Sequence, residues 1–363
     1  MPRLPPSLLR TAYSISPNAA ALLPACRDLP SAVNELRWIR EHVGASASAS
    51  PAARPEREVA RLCRLRGRGV PLQYVLGSQP FGPLDIKCRP GVLIPRPEPE
   101  AYTTHLASLV RGGILGRRAS HQPGLSIVDF CTGTGCIALL LYALLAPSFP
   151  GLHVRGIDIS PQAVALAREN AIRNVRMGYM LPPNRGDSQR PQDQGGARAL
   201  QFDQGDLFSD DLVASLQARR WDIITCNPPY ISHAGFARGT ARSVRNYEPK
   251  LAQVPGPRAG YATRCAPEDV FYARLLDVGA ALRPGLVLVE VGDMAQALRV
   301  AGMAARQAAS SEQGPAVEIW RDWPDAVPEE VEETAAKVDG VEIPIRGSGH
   351  GRSVLIRYGK WDT

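Results

Sequence analysis

The sequence predicts an α/β protein with a largely parallel sheet, preceded by a small helical domain. Three observations carry that expectation. Beyond Gln122, short apolar runs alternate with helix-length amphipathic segments, the pattern of right-handed βαβ units. The first run, Ile127-Val128-Asp129, breaks into a turn bearing Gly133 and Gly135 and then into the apolar stretch Ile137 to Ala146. Before residue 70, apolar residues recur instead at helical spacing, as at Val33, Leu36, Ile39 and Val43.

The N-terminus carries Arg3, Arg10 and Arg27 among Ser7, Thr11, Ser14 and Ser16 and meets no acid before Asp28. That composition suits an organellar transit peptide, and it also suits a cytosolic tail short of acids. Ser31 is placed to cap the first helix and Gly44 to stop it. Ala45 to Ala53, nearly all Ala, Ser and Pro, reads as a linker. A second helix over about Pro55 to Leu65 aligns Arg57, Arg61 and Arg64, either as a solvated face or as a basic patch for a nucleic-acid-bearing partner. Pro71 to Pro97 follows as a connector with extended pieces at Leu84 to Cys88 and Val92 to Ile94, punctuated by Pro80, Gly82, Pro83 and Pro90-Gly91. The expected division is a helical domain over 1–70, a connector over 71–100 and an α/β domain over 101–363. Within the last, strands are expected at Ile127-Val128, His153 to Ile157, Leu200 to Phe202, Trp221 to Thr225 and Leu286 to Val291. Val317 to Trp320 and Val354 to Tyr358 should form a hairpin-like pair closing one edge. Ser160 and Pro161 open a helix running to Asn174. Met180 to Ala199, rich in Pro, Gly, Gln and Arg, reads as a mobile insertion.

Composition narrows the classes. With 363 residues, 44% hydrophobic and 21% charged, the chain can bury a sizeable core, which excludes wholesale disorder. Its 33 prolines point to long, turn-rich connections. A net charge of +7 favours an acidic or nucleic-acid-associated partner. Seven scattered cysteines, odd in number and without a C-x-x-C pair, read as reduced intracellular thiols. Six scattered histidines assemble no metal centre from neighbours, so no metal is expected. The longest apolar run is about half the length a bilayer-spanning helix needs, so a soluble protein is expected.

The chemistry collects at strand ends. Glycines at 133 and 135 let the backbone approach a ligand, and the helix that follows leaves amides free to bind it. With Ala138 the turn also satisfies the loose dinucleotide-binding pattern, which keeps a nicotinamide-dependent dehydrogenase in view. Asp158 ends the next strand, where a carboxylate either accepts both ribose hydroxyls or merely terminates the strand. Asp206, in Gly205-Asp206-Leu207-Phe208, can reach an adenine amino group while neighbouring apolar residues flank the ring. The decisive segment is Asn227-Pro228-Pro229-Tyr230, reached directly from a strand. Two prolines fix the backbone and offer no N–H, so a carbonyl can point into a cavity beside the asparagine amide. A planar NH₂ group fits there, its hydrogens meeting the Asn227 oxygen and the Pro228 carbonyl, with Tyr230 covering the acceptor.

From Pro71 onward the chain resembles the class I methyltransferases that modify planar nitrogens, and among them the protein-glutamine N5-methyltransferases of peptide chain release factors (the HemK/PrmC family). The resemblance rests on the glycine turn, Asn227-Pro228-Pro229-Tyr230, Pro71 to Gly77, Pro90 to Pro97, Tyr247-Glu248-Pro249 and Glu290-Val291-Gly292. It implies a Rossmann-like, seven-stranded methyltransferase domain, a substrate-recognising helical domain, and a mitochondrial member of fungal type, with a cytoplasmic setting as the other option. It implies S-adenosylmethionine over Asp129, Thr132, Gly133 and Gly135, with the ribose at Asp158, the adenine at Asp206 and Leu207, and Asn227 reaching both ligands. Asn227, Pro228 and Tyr230 are the implied catalytic residues, and with Pro229 they hold the substrate, a glutamine of a GGQ motif. A monomer acting on a release factor, without a nucleic-acid substrate or a membrane, completes the expectation. The rivals are an adenine N6-methyltransferase acting on DNA or RNA, the dehydrogenase, and an RNA-binding module without catalysis. Three departures stand out: Pro99 where the family has threonine, a partly matched stretch at Pro255 to Gly260, and the long insertion at Met180 to Ala199.

Overall fold

Helix formation begins earlier than the residue pattern suggests. The computed structural model describes residues 3–47, 55–116, 124–184, 198–261, 264–309 and 316–358. In it the acid-free arm forms α1 (Pro6–Ile15) and α2 (Pro17–Cys26), ahead of α3 (Leu29–Ala47). Ser16 separates the first two and caps α2, its hydroxyl accepting from the Asn18 amide at 3.1 Å. Ala12, Ala19, Leu22 and Leu23 are fully buried, so this segment has an inward face rather than the character of a loose tail. They pack with Leu36, Ile39 and Val43 of α3, Val59, Leu62 and Cys63 of α4 (Pro55–Gly67), and Val75 of α5 (Leu72–Leu76).

Two expectations about α3 are corrected. Asp28 is its capping residue, accepting from the Ser31 amide at 2.8 Å, which leaves Ser31 inside the first turn. Gly44 does not end the helix; it sits exposed within it, with no atom within 4 Å of where a Cβ would lie. The proposed linker falls partly in α3, and its residues 48–53 lie outside the described ones. On α4, Arg57, Arg61 and Arg64 are exposed, and Arg61 pairs with Glu58 one turn away, as a solvated face would. The connector contains α5 and a hairpin of β1 (Ser78–Phe81) and β2 (Leu84–Lys87), while Val92 to Ile94 forms no strand. Those residues are fixed otherwise: Tyr74 Oη donates to the Val92 carbonyl at 2.8 Å, and the Ile94 amide donates to the buried Glu248 carboxylate at 3.1 Å. The helical unit therefore comprises Met1–Gln79, Cys88–Ile94 and Gly239–Pro249.

The second unit comprises Pro80–Lys87, Pro95–Arg238 and Lys250–Thr363. It contains α6 (Pro97–Arg111), where Pro97 and Pro99 occupy the first turn, whose amides have no intrahelical acceptor, so neither ring interrupts a bond. Among the described residues its sheet has nine strands: β3 (Ser126–Phe130), β4 (His153–Asp158), β5 (Ala199–Gln204), β6 (Ile223–Cys226), β7 (Leu286–Glu290), β8 (Ala316–Trp323), β9 (Ala335–Val338), β10 (Val341–Arg346) and β11 (Ser348–Arg357). Their spatial order is β5-β4-β3-β6-β7-β11-β8-β10-β9. The first five are parallel, and β11 runs antiparallel between β7 and β8, so the expected seven strands are all present. The pair β9 and β10 extends the edge beyond β8, which corrects the expectation that β8 and β11 close it. Acidic residues surround β9, and only Ile343 and Ile345 mark the inward side of β10 as buried, too short an alternation to read in advance.

Both sheet faces are covered, which is why these strands read as continuous apolar runs. Ile127, Ile223 and Leu288 face α6, α7 (Cys136–Leu145) and α8 (Pro161–Arg176). Val128, Ile224 and Val289 face the opposite layer, which includes α9 (Asp210–Leu216) and, beyond α10 (His233–Arg238) and α11 (Arg242–Tyr247), the helices α12 (Val270–Leu282) and α13 (Met294–Ala309). The insertion after α8 is joined at its base, the Asn184 amide donating to the Arg198 carbonyl; residues 185–197 lie outside the described ones. Ser160 caps α8 as expected, accepting from the Ala163 amide at 3.3 Å. Ser160→Ala should lower stability by about 1 kcal/mol, read as a shifted midpoint in chemical denaturation.

Candidate active site

Strand order reverses between β3 and β6, and the carboxyl ends of the strands flanking that reversal are where open α/β sheets bind ligands. β3 ends at Phe130, and Cys131 then takes a left-handed conformation at φ 55°, followed by Gly133 at 56° and Gly135 at 81°. Gly135 is required by packing as much as by any ligand: a Cβ there would come within 2.9 Å of Ala167 and 3.1 Å of the Phe202 ring. Gly133 has open space on that side, its nearest neighbour lying 4.0 Å away. Gly156 on β4, which the sequence reading passed over, belongs to the same construction, since a Cβ would strike Phe202 and approach Thr132 Oγ1 to 2.8 Å.

The acids divide their tasks. Asp129 is completely buried and accepts from Thr132 Oγ1 at 2.6 Å and Thr225 Oγ1 at 2.7 Å, tying the end of β3 to β6 and to the glycine turn. Burial pushes its carboxyl up to about 7, against the two hydroxyl bonds that favour the charged form. Asp129 and Thr132 thus shape the turn from beneath. Asp158 is at the surface of the site, accepting from the Gly133 amide at 2.8 Å and the Ser160 amide at 2.9 Å; burial raises its carboxyl above the ordinary range. Two residues chosen 25 positions apart in sequence therefore meet. Asp206 accepts from the Phe208 amide at 3.0 Å and lies 3.4 Å from an Arg258 nitrogen.

Leu207, next to Asp206, is a buried residue. It is 4% exposed and packs inward with Val213 and Leu216. Phe208 is half-buried against the same cluster, with the Arg258 guanidinium 4.1 Å over its ring and Tyr261 and Phe271 meeting it edge-on. No local motif marks Arg258; it was legible only as part of the weakly matched stretch. Together these groups fit a cofactor with a ribose diol and an adenine ring: a carboxylate at the end of β4, an open glycine backbone, and an acid beside an aromatic surface after β5.

β6 delivers Asn227 next to this turn, in parallel register with β3 through Phe130 and Cys226. Asn227 is half-buried, and among the described residues its side-chain amide has no hydrogen-bond partner. Pro228 and Pro229 are buried, and Tyr230 donates to Glu290 Oε1 at 2.9 Å. The sequence motifs Asn227 to Tyr230 and Glu290 to Gly292 are thereby one local structure. Among the described residues no three His, Cys, Asp or Glu side chains group to hold a metal, and no helix is long and apolar enough to cross a membrane.

Comparison with known proteins bears on what such a site does. No protein-family model matches the chain. The mitochondrial MRF1 N(5)-glutamine methyltransferase MTQ1 of Saccharomyces cerevisiae is 36% identical to it over 258 residues, covering 70% of this chain and 68% of that protein. The release factor glutamine methyltransferase of Geobacter sulfurreducens is 33% identical over 244 residues, covering 66% and 67%. Solved structures are more remote: the N-terminal domain of human METTL16 in complex with SAH shares 14% identity at a TM-score of 0.42, covering 82% of this chain and 83% of that one. Identity at the level of the two glutamine methyltransferases, spread over about two thirds of each partner, assigns the chain to the family of release factor glutamine N5-methyltransferases.

Proposed function

We propose that the protein methylates the side-chain amide nitrogen of the GGQ glutamine in a mitochondrial peptide chain release factor, and so supports translation termination. The enzyme is an S-adenosylmethionine-dependent protein-glutamine methyltransferase. The observation that carries the site reading is the unpartnered amide of Asn227, placed before two buried prolines and beside the turn that Asp158 holds. The cofactor supplies a methyl group activated by a sulfonium. The chain's own residues must overcome the poor nucleophilicity of an amide nitrogen, whose lone pair is delocalised into its carbonyl. In this reading the Asn227 oxygen and the Pro228 carbonyl accept the two amide hydrogens and aim the lone pair at the methyl, while Tyr230 covers the acceptor. Orientation of this kind can contribute up to roughly 7–11 kcal/mol. No general base is obligatory, because the nitrogen becomes strongly acidic once methylated.

The helical unit is the proposed recognition module for the release factor. Among its described residues all Lys or Arg side chains are arginine, and they outnumber carboxylates roughly two to one, which favours an acidic partner surface. The same reading takes the enzyme as a monomer without a nucleic-acid substrate. The test is incubation with S-adenosylmethionine and purified mitochondrial and cytosolic release factors, followed by peptide mass spectrometry. A methyl group on the GGQ glutamine of the mitochondrial factor supports the proposal; methylation of adenine in added DNA or RNA instead would overturn it.

The mitochondrial setting is supported by the acid-free N-terminus and by the mitochondrial name of the yeast relative. Because α1 and α2 contribute Ala12, Leu22 and Leu23 to a core, an import signal there would have to be read before that core forms. A reporter fused to residues 1–30 should accumulate in mitochondria. A cytosolic reporter would move the substrate to a cytosolic factor and leave methyl transfer untouched.

A further inference from the structure

Glu290 ends β7, the strand beside β6, and the pairing of Cys226 with Val289 places it level with Asn227. It is 2% exposed. Its two oxygens are each taken by a phenol: Tyr230 donates to Oε1 and Tyr102, from α6, donates to Oε2, both at 2.9 Å. Burial and the nearby carboxylate hold both phenols well above the ordinary tyrosine range, so they remain donors at neutral pH. Tyr272 fixes the strand end itself, donating to the Glu290 carbonyl at 2.8 Å.

The backbone of Tyr230 is held by a second set of bonds. Its carbonyl accepts from Gln296 Nε2 at 3.3 Å. That glutamine accepts from the Gly292 amide through Oε1 at 2.8 Å and donates to Asp269, which Arg299 neutralises. Gly292 leaves room for the ring: a Cβ there would come within 3.1 Å of Tyr230. A charged carboxylate is costly to bury, and this one lies against the loop that carries Asn227 and Pro228.

We propose that Glu290, with Tyr102 as its second ligand, is a positioning residue for methyl transfer: it fixes the Tyr230 side chain and, through it, the Pro228 carbonyl and Asn227 amide that receive the glutamine. The inference rests on the proposed seat of the acceptor at Asn227 and Pro228. The ionised carboxylate accepts both phenols, whereas the protonated acid must donate one hydrogen and gives up one of those bonds. Burial, the largest influence, pushes Glu290 up to about 7; the two phenol bonds and Arg352 oppose this, and Glu98 adds to it. Asp129 and Cys136 act on Tyr102, and Arg352 and Arg96 on Tyr230, so these groups also face the network. The clamp is complete above neutrality and loosens as pH falls through about 7.

The test measures kcat and KM for a release factor from pH 6 to 9, with S-adenosylmethionine affinity by calorimetry, for Glu290→Gln, Tyr230→Phe and their combination. Expected are a kcat about tenfold lower in Glu290→Gln, cofactor affinity within about twofold of the parent, a smaller kcat step near pH 7, and a combined variant no worse than the poorer single one. Tyr102→Phe, which leaves the carboxylate in place, should lose about threefold in kcat and guards against a misfolded Glu290 variant. Parental kcat and pH profile in Glu290→Gln, or additive losses in the combination, overturn the inference. Asn227→Ala run alongside separates the two levels: if it is inactive while Glu290→Gln is unaffected, only the positioning role falls, whereas full activity in Asn227→Ala removes the acceptor seat itself.

Discussion

Asn227→Ala is expected to reduce methyl transfer by about 100-fold or more while leaving S-adenosylmethionine affinity within about twofold of the parent. The amide stands at the end of β6 with no partner among the described residues, so its removal breaks no internal bond and leaves the fold intact. In the proposed mechanism, what is lost is an acceptor for one hydrogen of the glutamine NH₂. A freely rotating amide holds its nitrogen lone pair, which stands perpendicular to the amide plane, at no fixed angle to the methyl group, and a hundredfold loss corresponds to about 2.7 kcal/mol of barrier. Single-turnover rates and calorimetry on the same preparation decide it: an undiminished rate from a folded, cofactor-binding variant would sink the mechanism.

Asp158→Ala should weaken S-adenosylmethionine binding by about 1–3 kcal/mol, the cost of losing a buried hydrogen-bonding partner. Asp158 already accepts from the Gly133 amide, so the substitution removes the proposed ribose acceptor and frees the glycine turn at the same time. Asp158→Asn, which keeps one oxygen for Gly133, should lose less. Burial raises the carboxyl above its ordinary value, and only the ionised form accepts on both oxygens, so affinity should fall on acidification sooner than an exposed aspartate would dictate. Calorimetry from pH 5 to 8 measures both effects; unchanged affinity in Asp158→Ala would take the residue out of the site.

Much of the candidate site was legible because its motifs are contiguous in the chain. Asn227 to Tyr230 carries its constraint in the chain itself, two prolines fixing the backbone next to an asparagine. Gly133 and Gly135 likewise announce a turn, both taking a positive φ, and Ser160-Pro161 announces a helix start. Where local choices competed, the residue pattern missed by a few positions: Asp28 caps α3 in place of Ser31. Both residues are chemically suitable caps, and the direction of the chain selects one.

The sequence by itself determined the strand and helix alternation, the glycine turn, the Asn-Pro-Pro-Tyr strand end and the family to which they belong. Tertiary structure alone decided that Pro71 to Gly77, Pro90 to Ile94 and Tyr247 to Pro249 are one assembly in the helical unit, joined through Tyr74, Val92, Ile94 and Glu248. It also decided that Glu290 is held by Tyr102, 188 residues away in the chain, and by Tyr230, and that Asp129 works beneath the turn through Thr132 and Thr225. The physical reason is that local backbone preferences leave a trace in neighbouring residues, whereas a hydrogen bond between distant side chains leaves none until the sheet brings its strand ends together.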